Sequence, residues 1–585
     1  MTLGWGSLRV RWWPTHLLVI AVIATSCGTA GTIRASGPLV PVLEWSKCRA
    51  NDVGKSNANQ ELDGAECATL KVPVDYDAPS SSIQISMVRM KAQGKASERV
   101  GSLFLNPGGP GASGIDFFYG IVETLPHELL DKFDIVSFDP RGMGHSSPLD
   151  CLTEAERAEA DHHKVPDDPA QARQEADAFE QKIANGCKAD DPALLEHMGT
   201  YDVVRDLDVM RRAVGDDKLN YLGISYGTYI GAMYASTFPE STRALVLDSP
   251  VTPSQDNVKP GLDQLKGFDA SIQSWYADCR SKPSCPLNPD PKLRVQQARA
   301  SLKATPIDVE IEGKKRRFEL SDLDSALFEI QYGPFAYDPA NEAIAALSGT
   351  DTARKTLAVS FLLNLADELD MKQDDGTYGN AQEANFVVVC ADSAAPSTEA
   401  EVQTIINEIA GLDPIISDDA QDITADCQFL PTGGNKGAIS RSSAADHVLI
   451  TASRGDPATP YAWAQELADA LGVNSYTTYD GPGHANLLDN SCLLDAAVGF
   501  FVSLHSAPAQ CPKVPGTTSF GRFMATQFAK EDSDTDTVND AYVNCLAPGL
   551  ESLDQLALAA PVTDSMSSSI EDEITALVIN CSSGR

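Results

Sequence analysis

Five residues, Gly223-Ile224-Ser225-Tyr226-Gly227, constrain the fold of this chain more than any other stretch. They follow a short apolar run at 219–224 and open a segment, 226–237, with the composition of a buried helix. In 585 residues a G-x-S-x-G match arises by chance about one time in five, so the setting carries the reading. A strand that turns sharply into a helix needs small residues on both sides of the turning residue, which is left projecting in a strained conformation. Ser225 is therefore the candidate nucleophile. The helix opening at Tyr226 sets free N–H groups and a positive dipole end beside it.

The same alternation recurs around this turn. Apolar runs at 102–105, 133–138 and 244–247 flank it, and Val203, Val204, Leu207 and Met210 recur at helical spacing. Short apolar strands alternating with helices predict a mostly parallel sheet covered on both faces. Runs at 69–74 and 83–90, separated by turn residues, predict a hairpin. The alternation stops after Pro250, and 253–440 reads as helix-rich and polar. It resumes with a strand at 448–451, a helix at 460–471, a strand at 475–479 and a helix at 493–502. A sheet begun in 45–252 and completed in 441–515 is one α/β core carrying an inserted helical lid. Beyond 516 the acidic run 530–536 and the serines 567–569 read as solvated chain. Phe520, Phe523, Phe528 and the stretch 550–558 offer docking surface, and 516–585 forms an extension with no assigned role.

The N-terminus carries Arg9 and Arg11, an apolar run at 17–24, then Thr25-Ser26-Cys27. This is the pattern of an export signal over 1–26, and the run is too short to span a bilayer comfortably. Cys27 after two small residues is similar to a bacterial lipobox, which makes 27–44 a tether to a membrane lipid anchor. Plain secretion after cleavage nearby is the alternative. Twelve cysteines remain, an even number, and export implies an oxidising compartment where they pair. Nearest-neighbour pairing joins Cys48 with Cys67, Cys151 with Cys187, Cys279 with Cys285, Cys390 with Cys427, Cys492 with Cys511 and Cys545 with Cys581. It is a prior, because connectivity does not follow from sequence. No CxxC and no Cys–His cluster suggests a metal site, and no dinucleotide or Walker fingerprint stands in a strand–helix setting, so no cofactor is expected. Asp and Glu number 82 against 45 Lys and Arg, a net charge of −37. Such a surface repels phosphate and argues against a nucleic-acid partner. Oligomeric state is not legible.

A serine nucleophile needs a base and an orienting acid. In this topology the chain order is Ser, acid, His, which leaves His447, His484 and His505. His484 lies in the glycine-rich loop 481–486 after a strand, where an imidazole can reach over the sheet edge. His447 at a strand start and His505 at a helix end read as structural. The acid should follow the preceding strand, which gives Asp456, with Asp248 as runner-up. An oxyanion hole needs two backbone N–H groups: that of Tyr226 and one from the loop 106–111, Gly109 or else Gly108. Thr459 reads as a cap of the following helix.

Five motifs in order, N-P-G-G-P-G at 106–111, F-D-P-R-G at 138–142, G-I-S-Y-G at 223–227, G-D-P-A-T-P at 455–460 and G-P-G-H at 481–484, resemble secreted bacterial tripeptidyl aminopeptidases. These are serine peptidases of the α/β-hydrolase fold related to prolyl iminopeptidases, and some members carry the name carboxylesterase A. The resemblance covers about residues 45–512. It implies Ser225, Asp456 and His484 as a triad, a lid over the site and release of short peptides from a free N-terminus. The stretch 385–392 resembles a shared motif at the lid's end, which makes Asp392 a candidate to bind the substrate amine. A carboxylesterase acting on short-chain or lipid esters with the same triad is the alternative, and an anchored binding protein with an idle site is a third.

Overall fold

The computed structural model describes residues 42–49, 64–161, 168–256, 258–311, 313–369, 377–417, 427–434, 437–505, 509–513, 520–531 and 540–559, with a few isolated positions between and after these segments. The export signal 1–26, Cys27 and most of the tether 27–44 lie outside the described residues.

Strands β1 (Ser46–Lys47), β2 (Ala65–Pro73), β3 (Ser82–Met90), β4 (Gly101–Asn106), β5 (Phe133–Phe138), β6 (Leu219–Ile224) and β7 (Thr242–Asp248) come before the insertion. Within it lie β8 (Ile307–Ile311) and β9 (Lys314–Phe318). After it come β10 (Val448–Gly455), β11 (Ser475–Pro482) and β12 (Gln510–Cys511). All except β8 and β9 form one ten-stranded sheet in the order β1-β2-β3-β5-β4-β6-β7-β10-β11-β12. From β5 to β12 every neighbour is parallel, whereas β1, β2 and β3 close one edge antiparallel.

Burial explains the pattern. Every residue of β4 and β6 is buried, as central parallel strands demand, whereas β3 near the edge alternates. Side chains along a strand point to opposite faces. So Phe104 joins the apolar core on one side of the sheet, with Tyr221, Ile230 and Ile450, while Leu103 and Leu105 join the other, with Leu222, Val246 and Phe501. Each such side chain, fully buried, contributes about 1.5–3 kcal/mol.

Between β7 and β10 the chain builds a separate core around Trp275, Tyr276, Phe318, Leu327 and Leu362. Two features differ from the sequence reading. Strands β8 and β9 form an antiparallel hairpin inside a region read as helical. Helix Ala381–Asp392 does not pack in this second core; its Ala384, Val387, Val388 and Cys390 sit in the core of the main sheet. The C-terminal helices Phe520–Glu531, Asp540–Glu551 and Gln555–Ala559 make a small core of their own, around Phe520, Tyr542 and Leu546. They dock on the insertion: Phe523 stacks on Phe335 with centroids 4.0 Å apart, Leu556 enters the insertion's core, and Arg354 bridges Asp554 at 2.5 Å and Glu342 at 2.6 Å. Six disulfides join the cysteines as neighbours in order, closing loops whose ends are 6 to 37 residues apart.

Candidate active site

Ser225 occupies the turn between β6 and helix Tyr226–Thr237, at φ 54° and ψ −124°. A non-glycine residue rarely takes this conformation, and the surroundings enforce it. The Ser225 N–H donates to the Asp248 carbonyl at 3.0 Å, and the Tyr221 hydroxyl holds the Gly227 carbonyl at 2.8 Å. A Cβ on Gly223 would overlap the Gly227 carbonyl, and one on Gly227 would come 2.7 Å from the Asn106 carbonyl oxygen. Both glycines are therefore required by close approach. Tyr226 is the first helical residue, so its N–H has no partner within the helix.

The loop after β4 lies against this turn. Gly108, at φ +99°, sits so close that a Cβ would come 2.9 Å from the Tyr226 nitrogen. Its own N–H donates to the Asn106 side chain at 3.1 Å. That bond occupies Gly108 and favours Gly109 as the second donor. The loop is pinned by Asp139 of the F-D-P-R-G motif, which accepts from Ser113 Oγ at 2.7 Å, Ile115 N at 3.1 Å and His145 N at 2.8 Å. The sequence reading gave Asp139 no role. Arg141 of the same motif is buried on Asp206 at 2.8 Å and on three backbone carbonyls.

Asp456 and His484 follow β10 and β11. His484 Nδ1 lies 3.0 Å from each oxygen of Asp456. Nδ1 therefore carries the proton, and Nε2 is the free basic nitrogen. Asp456 also accepts from Ala458 N at 3.0 Å, Thr459 N at 2.8 Å and Thr459 Oγ1 at 2.9 Å. This corrects the reading of Thr459. The next helix is capped by no side chain, and the Thr459 hydroxyl instead orients the carboxylate, 3.3 Å from His484 Nδ1. Burial works against a charged His484, but the charge and hydrogen bond of Asp456, with the charge of Asp248, outweigh it, so its pKa is raised above the ordinary histidine value.

Asp248, the runner-up acid, lies at the end of β7, beside β10, the strand that precedes Asp456. It accepts from Thr451 Oγ1 at 2.6 Å and Leu487 N at 3.3 Å, and burial pushes its pKa up to about 6. It thus ties the loop after His484 to the sheet, and Ser249 Oγ adds a bond from Ala485 N at 2.9 Å. The insertion supplies the other wall. The Tyr332 carbonyl accepts the His484 N–H at 3.0 Å, and its ring meets the imidazole edge-on with centroids 5.5 Å apart. Nothing in the local sequence marked Tyr332, because the contact spans residues 332 to 484.

The remaining candidates separate. His447 Nδ1 faces the Arg243 carbonyl at 2.8 Å and His505 lies exposed beside Ser503, both away from Ser225's turn. Asp392 is buried. One oxygen accepts from Thr200 N at 2.7 Å, the other from the Thr200 hydroxyl, which shares a further bond with the Tyr226 hydroxyl. Burial pushes its pKa up to about 7, against the two donors of Thr200. A carboxylate so engaged is a poor partner for a substrate ammonium. Among the described residues no cluster of His, Cys, Asp and Glu suited to a metal ion is found.

The geometry can be set beside known proteins. The alpha/beta hydrolase fold family matches residues 101–491. Serine protease Hip1 of Mycobacterium tuberculosis is 31% identical over 518 residues, covering 84% of this chain and 95% of that protein. Carboxylesterase B of Mycobacterium tuberculosis is 32% identical, covering 81% and 90%. Tripeptidyl aminopeptidase of Streptomyces lividans is 31% identical, covering 84% and 88%.

Proposed function

The chain belongs to the tripeptidyl aminopeptidase family of α/β-hydrolase serine hydrolases, and from that premise we propose that it releases short peptides, tripeptides foremost, from free N-termini through an acyl-serine intermediate. The observation that carries the acyl-serine reading is the contact of His484 Nδ1 with both Asp456 oxygens, in the loops after β10 and β11, two strands that lie beyond β7 from β6, the strand leading into Ser225.

Ser225 Oγ attacks the scissile carbonyl carbon while His484 Nε2 takes its proton. The carbonyl oxygen becomes an oxyanion, held by the N–H groups of Gly109 and Tyr226. Asp456 steadies the imidazolium. The C–N bond then breaks, His484 returns the proton to the leaving amine, and the acyl group stays on Ser225. A water molecule, deprotonated by His484, attacks that ester, the C–O bond to Ser225 breaks, and His484 passes the proton to Ser225 Oγ as the peptide is freed. No step calls for a metal or an organic cofactor. Residues 45–252 and 441–515 serve as the hydrolytic core, and 253–440 as the lid that admits a chain end.

Export is part of the proposal. Six disulfides suit an oxidising compartment, and Cys27 is the proposed site of lipidation and membrane anchoring. Carboxylesterase activity with the same residues is the second reading, because one relative bears that name. Paired chromogenic tripeptides, one with a free N-terminus and one acetylated, tested beside a short p-nitrophenyl ester, separate the two. An aminopeptidase cleaves the free-amine peptide and spares the acetylated one. Ester turnover with neither peptide cut would replace the reading with the esterase.

A further inference from the structure

We infer that helix Ala381–Asp392 of the insertion braces the oxyanion hole, with Asn385 and Asp392 as positioning residues for the N–H groups of Gly109 and Tyr226. The inference rests on the acyl-serine reading above.

Three sets of contacts support it. The helix start is fixed on the loop after β5: Asn380 accepts from Gly144 N at 3.2 Å and donates to the carbonyls of Gly142 at 2.8 Å and Leu149 at 3.2 Å. That loop also carries Asp139, which pins the glycine loop through Ser113. The first turn then lies directly on the glycine loop. A Cβ on Gly111 would overlap the Ala381 carbonyl, and Asn385 Nδ2 donates to the Pro110 carbonyl at 2.8 Å. This bond fixes the Pro110–Gly111 peptide, two peptides along the loop from the one that carries the Gly109 N–H. At the far end Asp392 holds Thr200 by its N–H and hydroxyl, and Thr200 holds the Tyr226 hydroxyl. The Tyr226 N–H is the other donor.

Asn385 and Asp392 are seven residues apart. Two helical turns bring them to the same face, about 10.5 Å apart along the axis. Val388 between them is buried in the sheet's core, so this face is the packed one. The Cys390–Cys427 disulfide and a bond from Gly434 N to the Ala391 carbonyl at 2.8 Å hold the C-terminal end. A single rigid helix therefore sets the spacing of two donors that come from separate loops. Catalysis gains only if the donors fit the oxyanion better than the ground-state carbonyl, so a loose brace should slow the chemistry and spare binding.

The test compares Asn385→Asp, which is isosteric but loses the donor, with Asp392→Ala and with Asp392→Asn, which keeps an acceptor and the shape. Kinetics are read on a free-amine tripeptide and on the p-nitrophenyl ester, with the Ki of a peptide aldehyde and thermal unfolding alongside. Removing an oxyanion donor outright costs about 10²–10³-fold; displacing one should cost less, about tenfold in kcat on both substrates. KM should hold, aldehyde affinity should fall with kcat, and Asp392→Asn should retain most of the rate. Folded Asn385→Asp and Asp392→Ala proteins with wild-type kcat would overturn the inference. So would a rise in KM for the free-amine peptide alone, which would return Asp392 to amine binding. Ser225→Ala keeps the two failures apart. If it still turns over substrate, the acyl-serine reading is wrong; if it is inactive while the brace variants are normal, only the brace is wrong.

Discussion

His484 Nδ1 stands 3.0 Å from both oxygens of Asp456, whose second oxygen is also held by the Thr459 hydroxyl at 2.9 Å. The histidine is thereby held in one tautomer and one orientation, with Nε2 free to act as a base. Two of the three groups come from one short loop, 456–459, so the acid and its support move together.

The pH profile should reflect this pair. Asp456 and Asp248 raise the His484 pKa despite its burial. The base must be neutral to take the Ser225 proton, so kcat/KM should fall as pH drops through a midpoint above the ordinary histidine value of about 6.5. Asp456→Asn removes the largest favourable charge. It should move that midpoint to lower pH and reduce kcat by about 10⁴-fold. A profile flat from pH 8 to 5 in the wild-type protein would contradict the assignment of the base.

Thr459 offers a finer test. Thr459→Val keeps shape and loses the hydroxyl that orients Asp456. Loss of a hydrogen bond to a charged group costs about 1.5–3 kcal/mol, so kcat should fall at least tenfold while KM stays. Thr459→Ser should restore most of it. Equal rates for the Val and Ser variants would show that the hydroxyl is not used.

The elbow glycines should not tolerate a methyl group. In Gly223→Ala the new Cβ meets the Gly227 carbonyl, which cannot move without releasing Tyr221. The expected cost is about 3 kcal/mol or more, with activity lost, read by thermal unfolding and ester turnover. A Gly223→Ala protein of normal stability would show the turn to be looser than its contacts imply.

Stability should also carry a mark of Asp392. Its folded pKa, pushed up to about 7 by burial, lies above the ordinary carboxylate value. Below about pH 4 both folded and unfolded forms bind the proton and the group is neutral in its effect. As pH rises from there the unfolded chain ionises first, so stability drains away up to about pH 7 and then levels. Asp392→Asn should remove this slope, seen as a flatter unfolding temperature from pH 5 to 8.

The C-terminal helices should act as a clamp on the insertion. Phe523→Ala removes one ring of the stacked pair with Phe335 and should cost about 2 kcal/mol. Unfolding measured by near-ultraviolet circular dichroism should shift to lower temperature, and kcat should be unchanged. No shift would mean that the extension docks without this pair.

Much of the core was legible because its signals are local. The central strands are largely apolar runs, the Ser225 turn is bracketed by glycines, and Asp456 and His484 each follow a strand. Other features depend on contacts far apart in sequence. Asn385 reaches Pro110, Tyr332 reaches His484, and Asp139 reaches back to Ser113, and none leaves a local pattern. Strands β8 and β9 were lost for a different reason. Lys314-Lys315-Arg316-Arg317 is too charged to read as a strand, yet it pairs beside Ile307–Ile311, whose alternation was there to be seen. Thr459 was misread because a threonine just before a helix is usually a cap, and here the carboxylate three residues earlier competes for its hydroxyl.

The most direct measurement is labelling with a fluorophosphonate, followed by mass spectrometry of the digested protein. The account predicts one adduct, on Ser225, formed at a rate that falls along the same acid limb as turnover and is nearly abolished in His484→Ala. An adduct on another serine, or none on a protein that turns over substrate, would contradict it.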